Sequence, residues 1–196
     1  EPYRRQRQMC IRDSIINNAE KTQDLIISGV SSGLATGTTV TVMLNGLAYS
    51  ATTDGSGNWS VTVPASAVGA LGEAVYSISA SATDSAGNSG STTHTVNVES
   101  LLPGVIINTV AGDDIINAAE IAVNQTISGQ VTGTAEAGNT VTVTLGGNQY
   151  TATVQPDLSW SVSVPAADLQ ALGNGELTIS ASVTNSANNT GTTTHA

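Results

Sequence analysis

One phrase written twice limits this chain more than any other feature. The stretch from Ile15 to His94 recurs as Ile115 to His195. IINNAE returns as IINAAE, and Ser28-Gly29 returns as Ser128-Gly129. TTVTVML comes back as NTVTVTL after a one-residue insertion. From there Tyr49 matches Tyr150, Trp59 matches Trp160, Pro64 matches Pro165 and Leu71 matches Leu172. SASATDSAGN aligns with SASVTNSANN. A chain made of two copies folds as two copies of one unit, and each must close its own core. The 196 residues leave about 100 for each, which suits a small independent domain.

Within each copy the apolar residues recur every second position. Val141, Val143 and Leu145 share one face of TVTVTL, and Thr142 and Thr144 share the other. Trp160, Val162 and Val164 alternate with serines, as do Trp59, Val61 and Val63 with Ser and Thr. A period of two describes strands packed on one side. Asn45-Gly46, Asp54-Gly55, Gly57-Asn58, Gly146-Gly147 and Gly173-Asn174 supply the turns between them. Only PASAVGAL and PAADLQAL suit a helical turn. About seven alternating strands in about 100 residues specify an all-β fold of two tandem Greek-key β-sandwich modules. The expected division is a leader at 1–14, a first repeat at 15–101 lacking its first strand, and a second at 102–196 with a truncated last strand.

Charge excludes some partners. The formal net charge is −10, and four of the five basic residues, Arg4, Arg5, Arg7 and Arg12, crowd the start. Beyond residue 14 one lysine faces thirteen Asp and Glu. No basic patch remains to neutralise phosphates, which argues against nucleic acid. No apolar run approaches the roughly 20 residues of a membrane span, so no membrane insertion is expected. The opening EPYRRQRQMCIRDS fits nothing after it. A basic arm for an anionic surface is one reading. The preferred reading is a non-native leader, because RRQRQMCIRDS resembles translated sequencing-adapter read-through. Asp13 and Cys10, the sole cysteine, would then be accidental, and disulfides would play no part in stability.

The run from VIINTVAGDDIINAAE through SGQVTG, TVTVTL, WSVSVP, PAADLQAL and SASVTNSANN resembles the bacterial immunoglobulin-like repeats of giant surface adhesins exported by type I secretion. The resemblance covers residues 15–196. It implies immunoglobulin-like modules in an extracellular stalk on a bacterial surface, with neighbouring repeats as partners. Host or matrix surfaces would be met through other regions of the protein. It also implies calcium near the module junctions as a structural ion. This sequence departs from the common pattern in two places. ESLLPG stands where an Asp-rich linker is often found, and Asn185 stands where the first repeat has Asp84.

The acidic phrase GDDIINAAE admits two chemistries. Calcium takes six to eight oxygens from carboxylates, amides and carbonyls, and Asp113, Asp114, Asn117 and Glu120 offer several from one loop. Adjacent carboxylates also repel unless a cation neutralises them, and basic residues are scarce here. On the other reading an aspartate caps a helical turn and Glu120 is solvated. The resemblance favours calcium, which makes these four the first candidate ligands. Asp84, in TDSAGN, is a further candidate, weighed against an Asx-turn in a tight hairpin. Glu99, in the short linker, is the junction carboxylate, weighed against plain solvation. The first copy keeps Asn17 and Glu20 but has Ser14 in place of the second aspartate.

The remaining residues point away from chemistry. Trp59 and Trp160 are in phase with core valines, which favours burial over a sugar platform. Tyr49 and Tyr150 suit the core or its rim. His94 and His195 occupy matching places in a last strand of threonines, where an exposed position is expected. No nucleophile-elbow pattern surrounds any serine, and catalysis rarely needs a duplicated site, so no enzyme is expected. The reading is a structural stalk segment stiffened by calcium. Its rivals are a glycan- or protein-binding module and an accessory spacer of a secreted polysaccharide-active enzyme.

Overall fold

Strands form where valine and isoleucine alternate with threonine and serine, and each breaks at an Asn-, Asp- or Gly-bearing turn. The computed structural model describes residues 8–10 and 14–196. The basic cluster of Arg4, Arg5, Arg7 and Arg12, and Asp13, lie outside the described residues. The chain divides into two units, Glu1–Ser100 and Leu101–Ala196.

The first unit contains β1 (Gln8–Cys10), β2 (Ile15–Ile16), β3 (Leu25–Val30), β4 (Thr39–Leu44), β5 (Leu47–Thr52), β6 (Asn58–Val63), β7 (Val75–Thr83) and β8 (Ser89–Val98), with the short helix α1 (Ala65–Gly69) between β6 and β7. One sheet has the order β1-β3-β6 and the other β2-β8-β7-β4-β5. All neighbours are antiparallel except β2 and β8, which run parallel. The chain passes between sheets at β2–β3, β3–β4, β5–β6 and β6–β7, a Greek-key path. β1 pairs with β3 through the backbone, with Met9 opposite Gly29. Main-chain pairing of this kind is open to almost any sequence.

The second unit repeats the plan. β9 (Gly104–Ile107), β10 (Gln125–Thr132) and β13 (Ser159–Val164) form a sheet of order β13-β10-β9. β11 (Thr140–Leu145), β12 (Asn148–Thr153), β14 (Ile179–Thr184) and β15 (Thr190–His195) form a sheet of order β12-β11-β14-β15, with the helix α2 (Ala166–Ala171) leading into β14. Two two-sheet β-sandwiches are therefore present, as the alternation predicts. The expected helical turns are α1 and α2. Each has its first amide held from a distance: Ala65 N–H donates to Asp24 Oδ1 at 2.8 Å and Ala166 N–H to Asn124 Oδ1 at 3.0 Å.

Each unit has its own core between its sheets. Ile27, Val42, Val63, Ile78 and Val96 fill the first; Ile127, Val141, Val164, Leu169 and Val183 fill the second. Trp59 and Trp160 lie among them at 5% and 1% exposure, as their phase predicts. The Trp160 indole N–H has no hydrogen-bond partner. Gly129 explains how so large a ring fits. A Cβ there would lie 1.8 Å from the Ile106 carbonyl oxygen and 2.7 Å from the Trp160 ring. The β4–β5 turn uses Asn45 and Gly46, both at positive φ, and the β11–β12 turn uses Gly146 and Gly147 in the same way. These are the backbone states that a tight hairpin needs.

Candidate functional site

The acidic phrase forms a compact turn. Ala111, Gly112 and Asp114 all have positive φ, and the Asp114 N–H donates to the Val110 carbonyl at 2.8 Å. The Asp114 carboxylate folds back to accept the Val110 N–H at 2.8 Å. Asp113 Oδ1 accepts the Ile115 N–H at 3.0 Å. Both aspartates are thus turned toward main-chain donors two to four residues away.

The rest of the phrase is a capping box. Asn117 Oδ1 accepts the Ala119 N–H at 2.9 Å and the Glu120 N–H at 3.2 Å. Glu120 Oε2 returns to accept the Asn117 N–H at 2.9 Å. The first unit builds the same device from Asn17 and Glu20, with three bonds of 3.0 Å. Reciprocal capping satisfies donors that a helical turn leaves open. It accounts for the Asn-x-x-Glu spacing in both copies, and neither box contains an aspartate.

The loop residues behave alike. Asp84 Oδ1 accepts the Ala86 and Asn88 N–H groups at 2.9 and 2.8 Å, and its Oδ2 accepts from the Asn88 side-chain amide at 3.0 Å. Asp54 makes the same three bonds with Ser56 and Asn58. These bonds, with the Asn58 side chain foremost, hold the Asp54 carboxyl below the usual carboxylate range. Asn185 repeats the turn without charge. It accepts from Ala187 and Asn189 and donates its amide to Thr134 Oγ1 at 2.9 Å. Glu99 is bonded by the Asn97 side-chain amide, and Glu73 receives the Ser100 N–H and hydroxyl.

A full calcium shell needs several of these oxygens to converge. Among the described residues no group of three or more Asp, Glu, His or Cys side chains is placed to hold a metal. Asp113, Asp114, Asn117 and Glu120 share one loop, where their side-chain oxygens accept from its backbone N–H groups and Asp114 also meets a side chain of the last strand. Asp84 and Glu99 belong to the other unit.

One pairing was not expected from the sequence. His195 Nε2 lies 2.7 Å from Asp114 Oδ1, and His94 Nε2 lies 2.8 Å from Ser14 Oγ. Both histidines are half-buried rather than exposed. They sit at matching places in the last strand, and Ser14 and Asp114 match in turn, each at positive φ. Each unit therefore pins its entry segment to its last strand through the same pair of positions. The His195 hydrogen bond, followed by the Val110 N–H, holds the Asp114 carboxyl below its ordinary range. The only signal in the sequence was that both histidines and both partners fall at repeat-equivalent positions. At a separation of 81 residues, spacing alone does not reveal the contact. Another polar pair at a core rim is Tyr150 with Asp168. The phenol O–H donates to Asp168 Oδ2 at 2.7 Å, and burial, with that carboxylate second, raises the phenol above its usual range.

Comparison with known proteins agrees with this architecture. The bacterial Ig-like domain family matches residues 12–100. No curated protein sequence matches the chain significantly. Among solved structures, one described as a Ca2+-stabilized adhesin that helps an Antarctic bacterium reach out and bind ice is 34% identical. It matches over 96% of this chain and 47% of its own, with a TM-score of 0.62. A 1.5-MDa bacterial ice-binding adhesin, described for its retention at the host cell surface, is 34% identical over 93% of this chain and 59% of its own, with a TM-score of 0.56. A bacterial immunoglobulin-like domain of the M. primoryensis ice-binding adhesin is 31% identical over 47% of this chain and 95% of its own, with a TM-score of 0.37. The chain spans about half the length of the first two relatives. With its two sandwiches and its similarity to adhesin repeats, the chain belongs to the bacterial immunoglobulin-like domain family.

Proposed function

We propose that this chain is a pair of structural stalk repeats of a bacterial cell-surface adhesin, exported by type I secretion and carrying a binding region elsewhere in the protein. The observation that supports it best is the 34% identity to two large adhesins across nearly the whole of both modules. A spacer also explains why the same sandwich occurs twice, with its polar side chains spent on caps, turns and strand clasps rather than gathered in a cleft. On this reading the modules are non-catalytic, and their partners are neighbouring repeats of the same kind. Among the described residues no helix is long and apolar enough to cross a membrane.

Antibodies raised against the two-module chain test the placement. They are expected to label intact, unpermeabilised cells of the source bacterium. Labelling that requires cell lysis overturns the proposal.

Calcium stiffening is the finer part of this reading. Its support is the description of the first relative as Ca2+-stabilized, together with the excess of carboxylates over basic groups. Extracellular calcium modules bind at about 0.1–1 mM, so titration calorimetry of the two-module chain with CaCl2 over that range is the test. Absence of a saturable heat removes calcium and leaves the spacer. Resequencing the locus from source DNA tests the reading of residues 1–14 as foreign, and recovering those codons overturns it.

A further inference from the structure

Two departures of the second module from the first meet at its entry. One is the inserted residue. Gly33 and Gly133 share a positive φ, at 72° and 68°, so the repeats match one for one up to that point. They match again from Ala35 and Glu136, whose carbonyls accept the Thr38 and Asn139 N–H groups at 3.1 Å each. Between these points Leu34 and Ala135 each pack on the core of their own unit. Thr134 is therefore the extra residue. The other departure is Asn185 in place of Asp84.

These two side chains are bonded to each other. The Asn185 side-chain amide donates to Thr134 Oγ1 at 2.9 Å, and the Thr134 hydroxyl donates to the Leu101 carbonyl at 3.0 Å. Chemistry fixes the direction of this relay. A threonine hydroxyl has one proton to give, and here it goes to Leu101, so Oγ1 can only accept from its other neighbour. The Asn185 carboxamide meets that need. Its oxygen is taken by the Ala187 and Asn189 N–H groups at 3.1 and 3.0 Å, which leaves its nitrogen for Thr134. An aspartate would set an oxygen against an oxygen, and the hydroxyl could bond it only by releasing Leu101. Asn185 is 7% exposed, so a carboxylate there would also lose most of its water. The first module has neither part. Gly33 runs straight into Leu34, and Asp84 Oδ2 accepts from its own tip residue Asn88 at 3.0 Å.

The segment held by the relay is the linker. Leu101 and Leu102 are 58% and 52% exposed, so their side chains give it little hold. Pro103 is buried, and its carbonyl crosses Gly191 so closely that a Cβ there would lie 1.7 Å away. We propose that Thr134 and Asn185 are positioning residues that together clamp the Leu101 carbonyl, and so carry the order of the second module back from Pro103 to Leu101. The clamp requires a hydroxyl at 134 and an uncharged amide at 185. It is built from neutral groups, so it works without calcium, and it holds whether or not the chain serves as a stalk.

The test uses the whole chain in EDTA, which removes calcium from the outcome. Thr134→Val and Asn185→Asp each break the relay, and Thr134→Ser keeps it. The 15N{1H} NOE of the Leu101 and Leu102 amides, which reads fast backbone motion, is expected to stay high in the parent and in Thr134→Ser. It should fall in the other two variants, with Val143 in β11 unchanged in all four. Chymotrypsin cleavage between Leu101 and Leu102 should quicken on the order of fivefold in the same two variants, because a lost hydrogen bond raises the population of open linker. Undiminished order and unchanged cleavage in Thr134→Val and Asn185→Asp overturn the proposal. So does an equal loss in Thr134→Ser, which would show that the hydroxyl is not the link. Should Asn185→Asp fail to fold, Thr134→Val against Thr134→Ser decides alone.

Discussion

At Asn117 one amide oxygen serves two backbone donors while Glu120 answers from the other side, so the turn is closed by its own side chains. Replacing Asn117 with Ala removes both bonds and is expected to cost the second module about 1 kcal/mol, measured as a shift in its urea midpoint. Gly129 bears more. A methyl group there meets the Ile106 carbonyl and the Trp160 ring, both fixed by the sheet. Gly129→Ala is expected to destabilise the module by roughly 2–4 kcal/mol, and a urea midpoint unchanged from the parent would show that the strands can part to admit it. Asp114 sets a dependence on acid. Its carboxyl titrates below the ordinary aspartate range, so the native state favours the ionised form. That contribution is fully present above about pH 3.9 and is lost as the pH falls through the lowered value. Asp114→Ser installs the first module's residue. It should flatten the second module's loss of stability as the pH falls below about 3.9, read from its NMR signals during acid titration, while the first module's titration stays as before.

Among the elements, the strands were the legible part. TVTVTL, WSVSVP and their copies alternate without a break, and register follows because a one-residue slip would turn every valine to solvent. The single inserted residue falls in the loop before β11, where it disturbs no pairing. The two tryptophans were placed in the core for the same reason. The polar pairings were not legible. Asn-x-x-Glu suits a cation and a capping box equally well, because both uses require oxygens aimed at positive charge or N–H donors. Only the path of the backbone decides between them. The His195–Asp114 clasp joins segments that meet only after both sheets have closed. Trp160 adds a prediction at this scale. Its buried indole N–H lacks a partner, a condition that costs about 1–3 kcal/mol. Trp160→Phe recovers part of that cost while keeping a ring. It should therefore destabilise well under the roughly 3–5 kcal/mol expected of Trp160→Ala, as chemical denaturation of the two variants will show.

For the whole molecule, charge is the dominant long-range quantity. Thirteen acidic residues and one lysine beyond residue 14 leave a chain whose own field opposes its folding, and salt weakens that field within about 10 Å at 0.1 M. Its melting temperature is expected to rise between 10 and 150 mM NaCl. Adding CaCl2 at matched ionic strength then separates screening from binding, since only a bound ion raises it further. The hairpin tip between Asp84 and Asn88 has a different consequence. Asp84 fastens that tip to its own two ends, and residues 85–88 face solvent. A tip that closes on itself is a natural splice point: a foreign epitope set between Asp84 and Asn88 can be displayed there while β7 and β8 stay zipped beneath it.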